Sequence, residues 1–303
     1  MAERLILQEP FRAVFYTPFY VALARDAFAR QGIAVELLTV GDPDKAAANL
    51  LSGAADLAWS GPMRVIREHA RGDTRLVSFG AVVMGDPFLL MGRGQAPSGF
   101  SLRALSRLKL GVVSEVPTPW WCLQDDLRRL GVDPATLDVV TGRTMAENAA
   151  ALLAGEIDLV QVFEPFASGL ETEGATVWHA QASRGPTSYT AFYATRDGVA
   201  ARRAAVTGMV RGMAETLAWL HATSASGIAA TVGPRFFGEL DPARLATGIS
   251  RYQSLGIWAR APRFPQAAFD RLQAAMLGAG AIAREPGFAA CVDTAIEAEA
   301  AQA

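Results

Sequence analysis

The residues best placed for chemistry in this chain follow short apolar runs. Ser60 and Gly61 follow the run Asp56–Trp59, and Glu164 follows the run Ile157–Phe163. Hydroxyls, carboxylates and the unpaired backbone N–H groups of helix starts form hydrogen bonds with small molecules, and aromatic rings stack on them. This set of residues is suited to holding a ligand rather than to breaking its bonds.

The usual signatures of catalysis and of metal binding do not occur in the sequence. There is no G-x-S-x-G, H-E-x-x-H, Walker or G-x-G-x-x-G motif. The histidines His69, His179 and His221 form no constellation, and two cysteines, Cys122 and Cys291, are too few for the usual four-ligand zinc site. We expect no catalytic residue, no metal and no cofactor, and we interpret the cysteines as buried small residues, with a disulfide as the alternative.

Composition excludes several classes of function. The 303 residues are 51% hydrophobic, which is enough for a sizeable core, and the formal net charge is -2. A balanced charge gives no reason to expect a nucleic-acid partner. The sequence has no uninterrupted apolar stretch of about 18 residues, so no membrane span is predicted. The start Met1–Arg4 does not resemble a secretory signal, so we expect a cytoplasmic chain unless a signal was trimmed, in which case it is periplasmic.

Short apolar runs alternate with amphipathic segments over the first two thirds of the chain, a pattern typical of parallel sheets with helices on both faces. Helices alone are predicted after Gly198. The predicted strands are Leu5–Leu7, Val35–Val40, Asp56–Trp59, Leu76–Met84, Leu110–Val113, Leu137–Val140, Ile157–Phe163 and Ala191–Ala194. The predicted helices are Phe19–Gln31, Trp120–Leu130, Ala200–Thr223, Pro242–Leu255, Pro265–Leu277 and Glu285–Ala300.

Two motifs occur twice in the same order. An L-L-x-G-x-x-D-L pattern starts at Leu50 and again at Leu152, and a Thr-Pro-aromatic-aromatic start occurs at Thr17 and again at Thr118. The two offsets are 102 and 101 positions. The agreement predicts two similar α/β lobes, the alternative being a repeat within one continuous sheet. Since ligands bind beyond the carboxyl ends of parallel strands, the repeated turns should line a cleft between the lobes.

These motifs resemble a known family. The order Tyr16-Thr17-Pro18-Phe19-Tyr20-Val21-Ala22, then Leu51–Ala58, then Asp86-Pro87-Phe88 is similar to the thiamine-pyrimidine/nitrate/sulfonate/taurine group of ABC-transporter substrate-binding proteins. The resemblance implies a type II periplasmic-binding fold, with two lobes joined by a two-strand hinge. It implies a discontinuous first lobe, 1–92 and 190–303, and a second lobe, 93–189, with crossings near Met91–Gly94 and Tyr189–Ala191.

The same family contains an enzyme branch, the fungal-type pyrimidine synthases of thiamine biosynthesis. That branch uses a lysine to hold pyridoxal phosphate, a histidine four residues later, and a cysteine-rich loop. The corresponding positions here are Ser60 and Arg64, and the sequence has no cysteine cluster. Because no Schiff base can form without an amine, this activity is excluded.

The candidate ligand-binding residues lie at the ends of strands, at helix starts or at the hinge. They are Tyr16, Thr17, Trp59, Ser60, Gly61, Asp86, Ser114, Glu115, Thr118, Trp120, Glu164 and Tyr189. Ser60 and Glu164 also fit helix-start roles, and Asp86 also fits a turn. Glu115, Glu164 and Asp86, together with Tyr16 and a tryptophan, favour a planar, nitrogen-bearing or aromatic ligand.

The sequence therefore predicts a solute-binding protein that captures a small organic ligand for an ABC importer, with an ABC permease as its partner if the chain is exported. Two alternatives stay open: an enzyme of cofactor biosynthesis on the same fold, and a ligand-sensing regulator.

Overall fold

The protein is described by a computed structural model over residues 2–41 and 45–302. Within them the strands form two separate five-stranded sheets with the orders β2-β1-β3-β10-β4 and β7-β6-β8-β5-β9. The two orders correspond position by position, so the repeat in the sequence is a repeat in topology. Two sheets exclude the alternative of one continuous sheet and confirm the predicted two-lobed α/β class.

In each sheet four strands run in one direction and one strand runs against them. The antiparallel strands are β10 in the first sheet and β5 in the second, each lying fourth in its order. The first sheet consists of β1 (Glu3–Glu9), β2 (Ile33–Thr39), β3 (Leu57–Ser60), β4 (Leu76–Val83) and β10 (Thr190–Thr195). The second consists of β5 (Leu89–Arg93), β6 (Leu110–Gly111), β7 (Val139–Val140), β8 (Leu159–Val162) and β9 (Ala175–Ala180).

The helices of the two repeats alternate with their strands. The first repeat contains α1 (Thr17–Ala24), α2 (Ala27–Arg30), α3 (Lys45–Ser52) and α4 (Met63–Arg71), and the second contains α5 (Thr118–Arg129), α6 (Met145–Ala154) and α7 (Phe166–Thr172). The chain ends in α8 (Arg196–Ala201), α9 (Arg203–Ala222), α10 (Ala225–Phe236), α11 (Pro242–Leu255), α12 (Gln266–Gly278), α13 (Phe288–Cys291) and α14 (Thr294–Gln302). Short 3-10 helices lie at Val14–Tyr16, Leu102–Arg107, Pro134–Thr136 and Gln181–Arg184.

The C-terminal helices pack against both repeats. α9 contacts α1 and α2 and α14 contacts β4, so this part covers the first sheet. α11 contacts α7, and α12 contacts both α5 and α4. The C-terminal region therefore connects the two halves of the molecule in addition to the crossing segments.

Several elements differ from the prediction. Asp26, at φ 54, separates α1 from α2, so the helix expected over Phe19–Gln31 is two helices. The strands β5 and β9 were missed. The helix α10 was missed as well, since Pro234 and two glycines inside it weaken the helical pattern.

The chain passes from the first sheet to the second between Val83 and Leu89, and it returns between Ala180 and Thr190. After each passage the chain forms the antiparallel strand of the sheet that it has entered, which is β5 in the second sheet and β10 in the first. The lobe limits 1–92, 93–189 and 190–303 stay a prediction, and their outer ends, residues 1 and 303, lie outside the described residues.

Candidate functional site

A narrow cleft lies between the two halves, at the ends of β3 and β6. It is lined by residues of the first repeat, of the segment before and within the start of α5, and of the two passages: Phe11, Phe15, Tyr16, Ser60, Gly61, Met63, Arg64, Phe88, Val116, Pro117, Thr118, Pro119 and Tyr189. Its cavity volume is about 40 Å³, room for roughly three water molecules. One turn of each repeat therefore faces this groove, Ser60 and Gly61 in the first and Thr118 and Pro119 in the second. Their counterparts in the other repeat, Glu164 and Thr17, are not among the lining residues.

Polar groups of β3 and α4 meet at the wall of this cleft. Ser60 ends β3, and one turn later Arg64 donates from Nε to Ser60 Oγ at 3.2 Å. Both side chains are buried, and burial raises the pKa of the neighbouring Tyr16, which therefore stays a neutral phenol. A guanidinium and two hydroxyls at one point can hold an anionic or strongly hydrogen-bond-accepting group.

Aromatic rings form the other part of the wall. Phe15 lies against Tyr16 with ring centroids 4.2 Å apart, and Phe11 lies 5.8 Å from Tyr16. Phe88 and Tyr189 come from the two passages, with ring centroids 6.5 Å apart. These rings create a mostly apolar surface of the kind that receives a flat apolar group.

Five of the predicted ligand-binding residues line this cleft together. They are Tyr16, Ser60, Gly61, Thr118 and Tyr189. Gly61 is close to the second passage, since a Cβ built on it would lie 3.5 Å from the carbonyl oxygen of Tyr189. Five of the thirteen lining residues thus stand at positions that the sequence analysis singled out, and their contact with ligand stays a prediction.

Two other predicted residues, Trp59 and Thr17, lie in the protein interior, and a third, Trp120, is half-buried. Trp59 is fully buried and stacks on Phe19 with centroids 4.5 Å apart. Thr17 is also fully buried, and its hydroxyl donates to the carbonyl oxygen of Val14 at 2.6 Å. Trp120 packs against the smaller core cluster around Leu123 in the second half. Packing, not the cleft, accounts for these side chains.

Asp86 is engaged within the protein. Its carboxylate pairs with Arg184 and accepts from the backbone N–H of Phe88 at 2.9 Å. Arg184 also pairs with Asp126 of α5 at 2.6 Å, so this buried network joins the first passage to the second half. Burial raises the pKa of Asp86, and the Arg184 guanidinium opposes that rise. Asp86 therefore stabilises the first passage against the second half of the molecule through its ion pair with Arg184.

Glu164 is engaged in the same way. It is fully buried, pairs with Arg251 Nε at 2.6 Å, and accepts from the backbone N–H of Ser168 at 3.0 Å. Ser114 and Glu115 are exposed, and Glu115 accepts from the backbone N–H of Met145 at 2.7 Å. None of these carboxylates lines the cleft, so the expectation of a nitrogen-bearing ligand loses its basis.

The cleft contains residues that the sequence analysis did not propose as ligand contacts. Phe11, Phe15, Phe88 and Met63 line it, as do Val116, Pro117 and Pro119. Phe88 stands in the Asp86-Pro87-Phe88 motif and could have been found there. Phe11 lies in the irregular segment after β1 and Phe15 in the short 3-10 helix that follows it, where no periodicity shows the direction of a side chain.

The described residues hold no group of three or more His, Cys, Asp or Glu placed to bind a metal ion. Cys122 and Cys291 are both buried free thiols, and burial raises the pKa of each to about 12. They are therefore buried small residues, as expected, and not a disulfide. Over residues 2–41 and 45–302 no helix is long and apolar enough to cross a membrane.

Comparison with known proteins shows the following similarities. A family model described as NMT1/THI5 like matches residues 14–224. "Putative binding protein YtlA" of Bacillus subtilis (strain 168) is 26% identical over 274 residues, which cover 88% of this chain and 81% of that protein.

Solved structures share the whole architecture. The "putative sulfonate ABC transporter, periplasmic sulfonate-binding protein SsuA" from Methylobacillus flagellatus KT aligns with a TM-score of 0.76 and 13% identity, over 99% of this chain and 94% of that one. The desulfurization enzyme DSZB aligns with a TM-score of 0.67 and 14% identity, over 99% of each chain. At these identities the alignments show a common fold.

Proposed function

Because the chain belongs to the NMT1/THI5-like family, we propose that it is a solute-binding protein that captures a small organic ligand between its two lobes for an ABC importer. The observation that carries this function is the cleft itself. Its walls come from both repeats and from both passages between the sheets, so a movement of one lobe against the other opens or encloses it.

The residues of the cleft favour a ligand with a flat apolar part and an acidic group. The rings of Phe11, Phe15 and Phe88 suit the flat part, and the Arg64 guanidinium with the Ser60 hydroxyl suits the acidic group. The planar or aromatic character expected from the sequence is kept in this proposal. The acidic group replaces the nitrogen-bearing one, because Asp86 and Glu164 are paired within the protein.

The partner in this proposal is an ABC permease, and the location is the periplasm or an equivalent compartment. The fold shared with a protein named as the periplasmic sulfonate-binding protein of an ABC transporter supports both. Permease and ATPase genes beside this gene would support the importer role, whereas neighbouring biosynthetic genes would favour an enzyme.

Binding of simple acids tests the proposal directly. We expect benzoate or benzenesulfonate to raise the Tm of the protein and to give a measurable Kd by titration calorimetry. Arg64→Met should weaken binding at least about tenfold, since a hydrogen bond to a charged group contributes about 1.5–3 kcal/mol. Arg71→Met is the matched control, because Arg71 is exposed on the same helix and pairs with Glu68. Equal loss in both variants, or no binding of any flat acid by the wild type, would contradict the proposal.

A second candidate function is an enzyme, because the desulfurization enzyme DSZB shares the fold. The described residues that line the cleft include the hydroxyls of Ser60 and Thr118 but no Cys, His, Lys, Asp or Glu, so that wall offers no carboxylate, imidazole or amine to activate a nucleophile. Turnover of an acid that binds, followed by NMR over hours, would decide in favour of the enzyme. Recovery of the acid unchanged supports the binding protein.

A further inference from the structure

The side chain of Phe163 packs against aromatic rings that line the interlobe cleft. Phe163 follows β8 in the second half of the molecule and is buried. Its ring lies 5.3 Å from that of Phe15 and 5.2 Å from that of Phe88, both edge to face, and 6.3 Å from that of Phe11, nearly parallel at 7°. We call Phe11, Phe15 and Phe88 the aromatic receptacle.

The members of the aromatic receptacle have a second role, since all three also line the cleft. The cleft that they line has a cavity volume of about 40 Å³, well below the roughly 150 Å³ of an apolar cavity that holds benzene. A ligand ring would seek the same faces and edges that Phe163 now covers. Phe163 and a ligand ring therefore exclude each other from this space.

Phe163 and its partners come from different parts of the fold. Phe11 and Phe15 follow β1 in the first half, and Phe88 lies in the first passage, whereas Phe163 projects from the second half. The ring contacts therefore stabilise the conformation in which the halves approach each other. A ligand ring placed in the receptacle would bridge the same elements and replace that stabilisation.

We propose that Phe163 is a specificity-determining residue of the cleft: its ring fills the aromatic receptacle, and a ligand that carries a ring binds by displacing it. This inference rests on the proposed function. Acids without a ring reach Arg64 and leave Phe163 in place, whereas ring-bearing acids must first break its contacts. The displacement lowers the affinity for every ring-bearing ligand by the same factor, and a side chain smaller than Phe163 removes that factor.

Titration calorimetry with benzoate and acetate tests this on the wild type, Phe163→Ala and Phe163→Leu. We expect Phe163→Ala to bind benzoate about tenfold more tightly than the wild type, with Phe163→Leu in between, because the lost ring contacts no longer compete. The acetate affinity should not rise, because acetate has no ring that competes with Phe163. Phe100→Ala is the matched control, since Phe100 contacts Trp178 in the smaller core cluster, away from the cleft. Weaker or equal benzoate binding by Phe163→Ala would overturn the inference.

Small-angle scattering of the protein alone gives a second readout that does not depend on any ligand. Phe163→Ala should increase the radius of gyration, because the halves lose their aromatic contacts, and Phe100→Ala should not. An unchanged radius in Phe163→Ala contradicts the inference. If the wild type and the variants bind neither acid, the proposed function fails, and scattering alone decides whether Phe163 holds the halves together.

Discussion

Asp56 and Asp158 make the same hydrogen bonds in the two halves of the molecule. Asp56 Oδ2 accepts from the backbone N–H of Ile6 at 2.7 Å, and Asp158 Oδ2 accepts from that of Lys109 at 2.8 Å. In return, the backbone N–H of each aspartate donates to the carbonyl oxygen of that same partner at 2.9 Å. The aspartate of the repeated motif thus fixes the start of the third strand against the first.

Asn substitutions test this structural role. Asp56→Asn and Asp158→Asn should each lower the free energy of unfolding by about 1–3 kcal/mol, because a hydrogen bond to a carboxylate is replaced by one to an amide or lost. Asp56→Asn should cost more, since Asp56 also pairs with Arg202 at 2.7 Å. Urea unfolding measures both, with Asp133→Asn, at an exposed turn, as the control. A ligand affinity that falls while stability is unchanged would assign these residues to binding instead.

The fold was predictable because it depends on repeated motifs that can be read directly in the sequence. The L-L-x-G-x-x-D-L motif places a helix end, with Gly53 at φ 77 and Gly155 at φ 79, directly before a buried strand. Such a turn has the same conformation wherever it occurs, so two copies indicate two halves. The strand β9 escaped prediction because five of its six residues are only half-buried, which leaves no clear alternation of apolar and polar residues.

The site was only partly predictable. Ser60, Gly61 and Thr118 follow from the repeat, because the position of a residue at the end of a strand or the start of a helix fixes where its backbone lies. The partners of Asp86 and Glu164 do not follow, since Arg184 and Arg251 are distant in sequence and meet them only in the fold. A lone carboxylate in an apolar run indicates either a ligand or an internal cation, and the sequence does not distinguish them.

Glu297 makes the stability of the protein depend on pH. Its carboxylate is buried in α14 and accepts from the backbone N–H of Gly80 at 3.1 Å and of Phe264 at 3.2 Å. Burial raises the pKa of Glu297 from 4.5 to about 7, against the effect of these hydrogen bonds. The folded state therefore holds the proton more tightly than the unfolded state. The resulting stabilisation is complete below about pH 4.5 and is lost as the pH rises through 7.

Unfolding measured between pH 5 and 8 tests this sign. Over this range the wild type should lose at most about 3 kcal/mol of its free energy of unfolding, and less where solvent screens the Glu297 carboxyl. Glu297→Gln should remove this loss. Glu299→Gln on the same helix is the control. Its exposed carboxylate pairs with Arg203 and has a lowered pKa, so it is ionised throughout the range and its removal should shift stability evenly. A wild-type stability that rises from pH 5 to 8 would contradict the role of Glu297.

Gly92 in β5 allows Trp178 to lie across the second sheet. A Cβ at position 92 would overlap the indole ring, so Gly92→Ala should lower the free energy of unfolding by about 1–3 kcal/mol. Gly169→Ala is the control, because its Cβ would meet only the Arg244 guanidinium at 3.7 Å and alanine favours a helix by about 0.8–1 kcal/mol. Opposite shifts in Tm are expected, and a neutral Gly92→Ala would show that Trp178 can move without cost.

Arg251 on α11 connects the C-terminal region to the second half of the molecule. Its guanidinium pairs with Glu164 at 2.6 Å and with Glu171 at 2.5 Å. Any opening of the cleft that carries β8 and α7 away from α11 must break these pairs. Glu164 is fully buried, so removal of its cation leaves an uncompensated charge.

We therefore expect Arg251→Met to lower the free energy of unfolding by about 3 kcal/mol or more, measured by urea unfolding at pH 7. Arg244→Met, at an exposed position of the same helix, should change it little. The double variant Glu164→Gln with Arg251→Met should recover much of the loss, because no charge then remains buried at position 164. Additive losses in the double variant would mean that the two side chains stabilise the protein independently. In that case the pair would not be what holds α11 to the second half, and the aromatic contacts of Phe163 and the Asp86–Arg184–Asp126 network would be left to resist opening of the cleft.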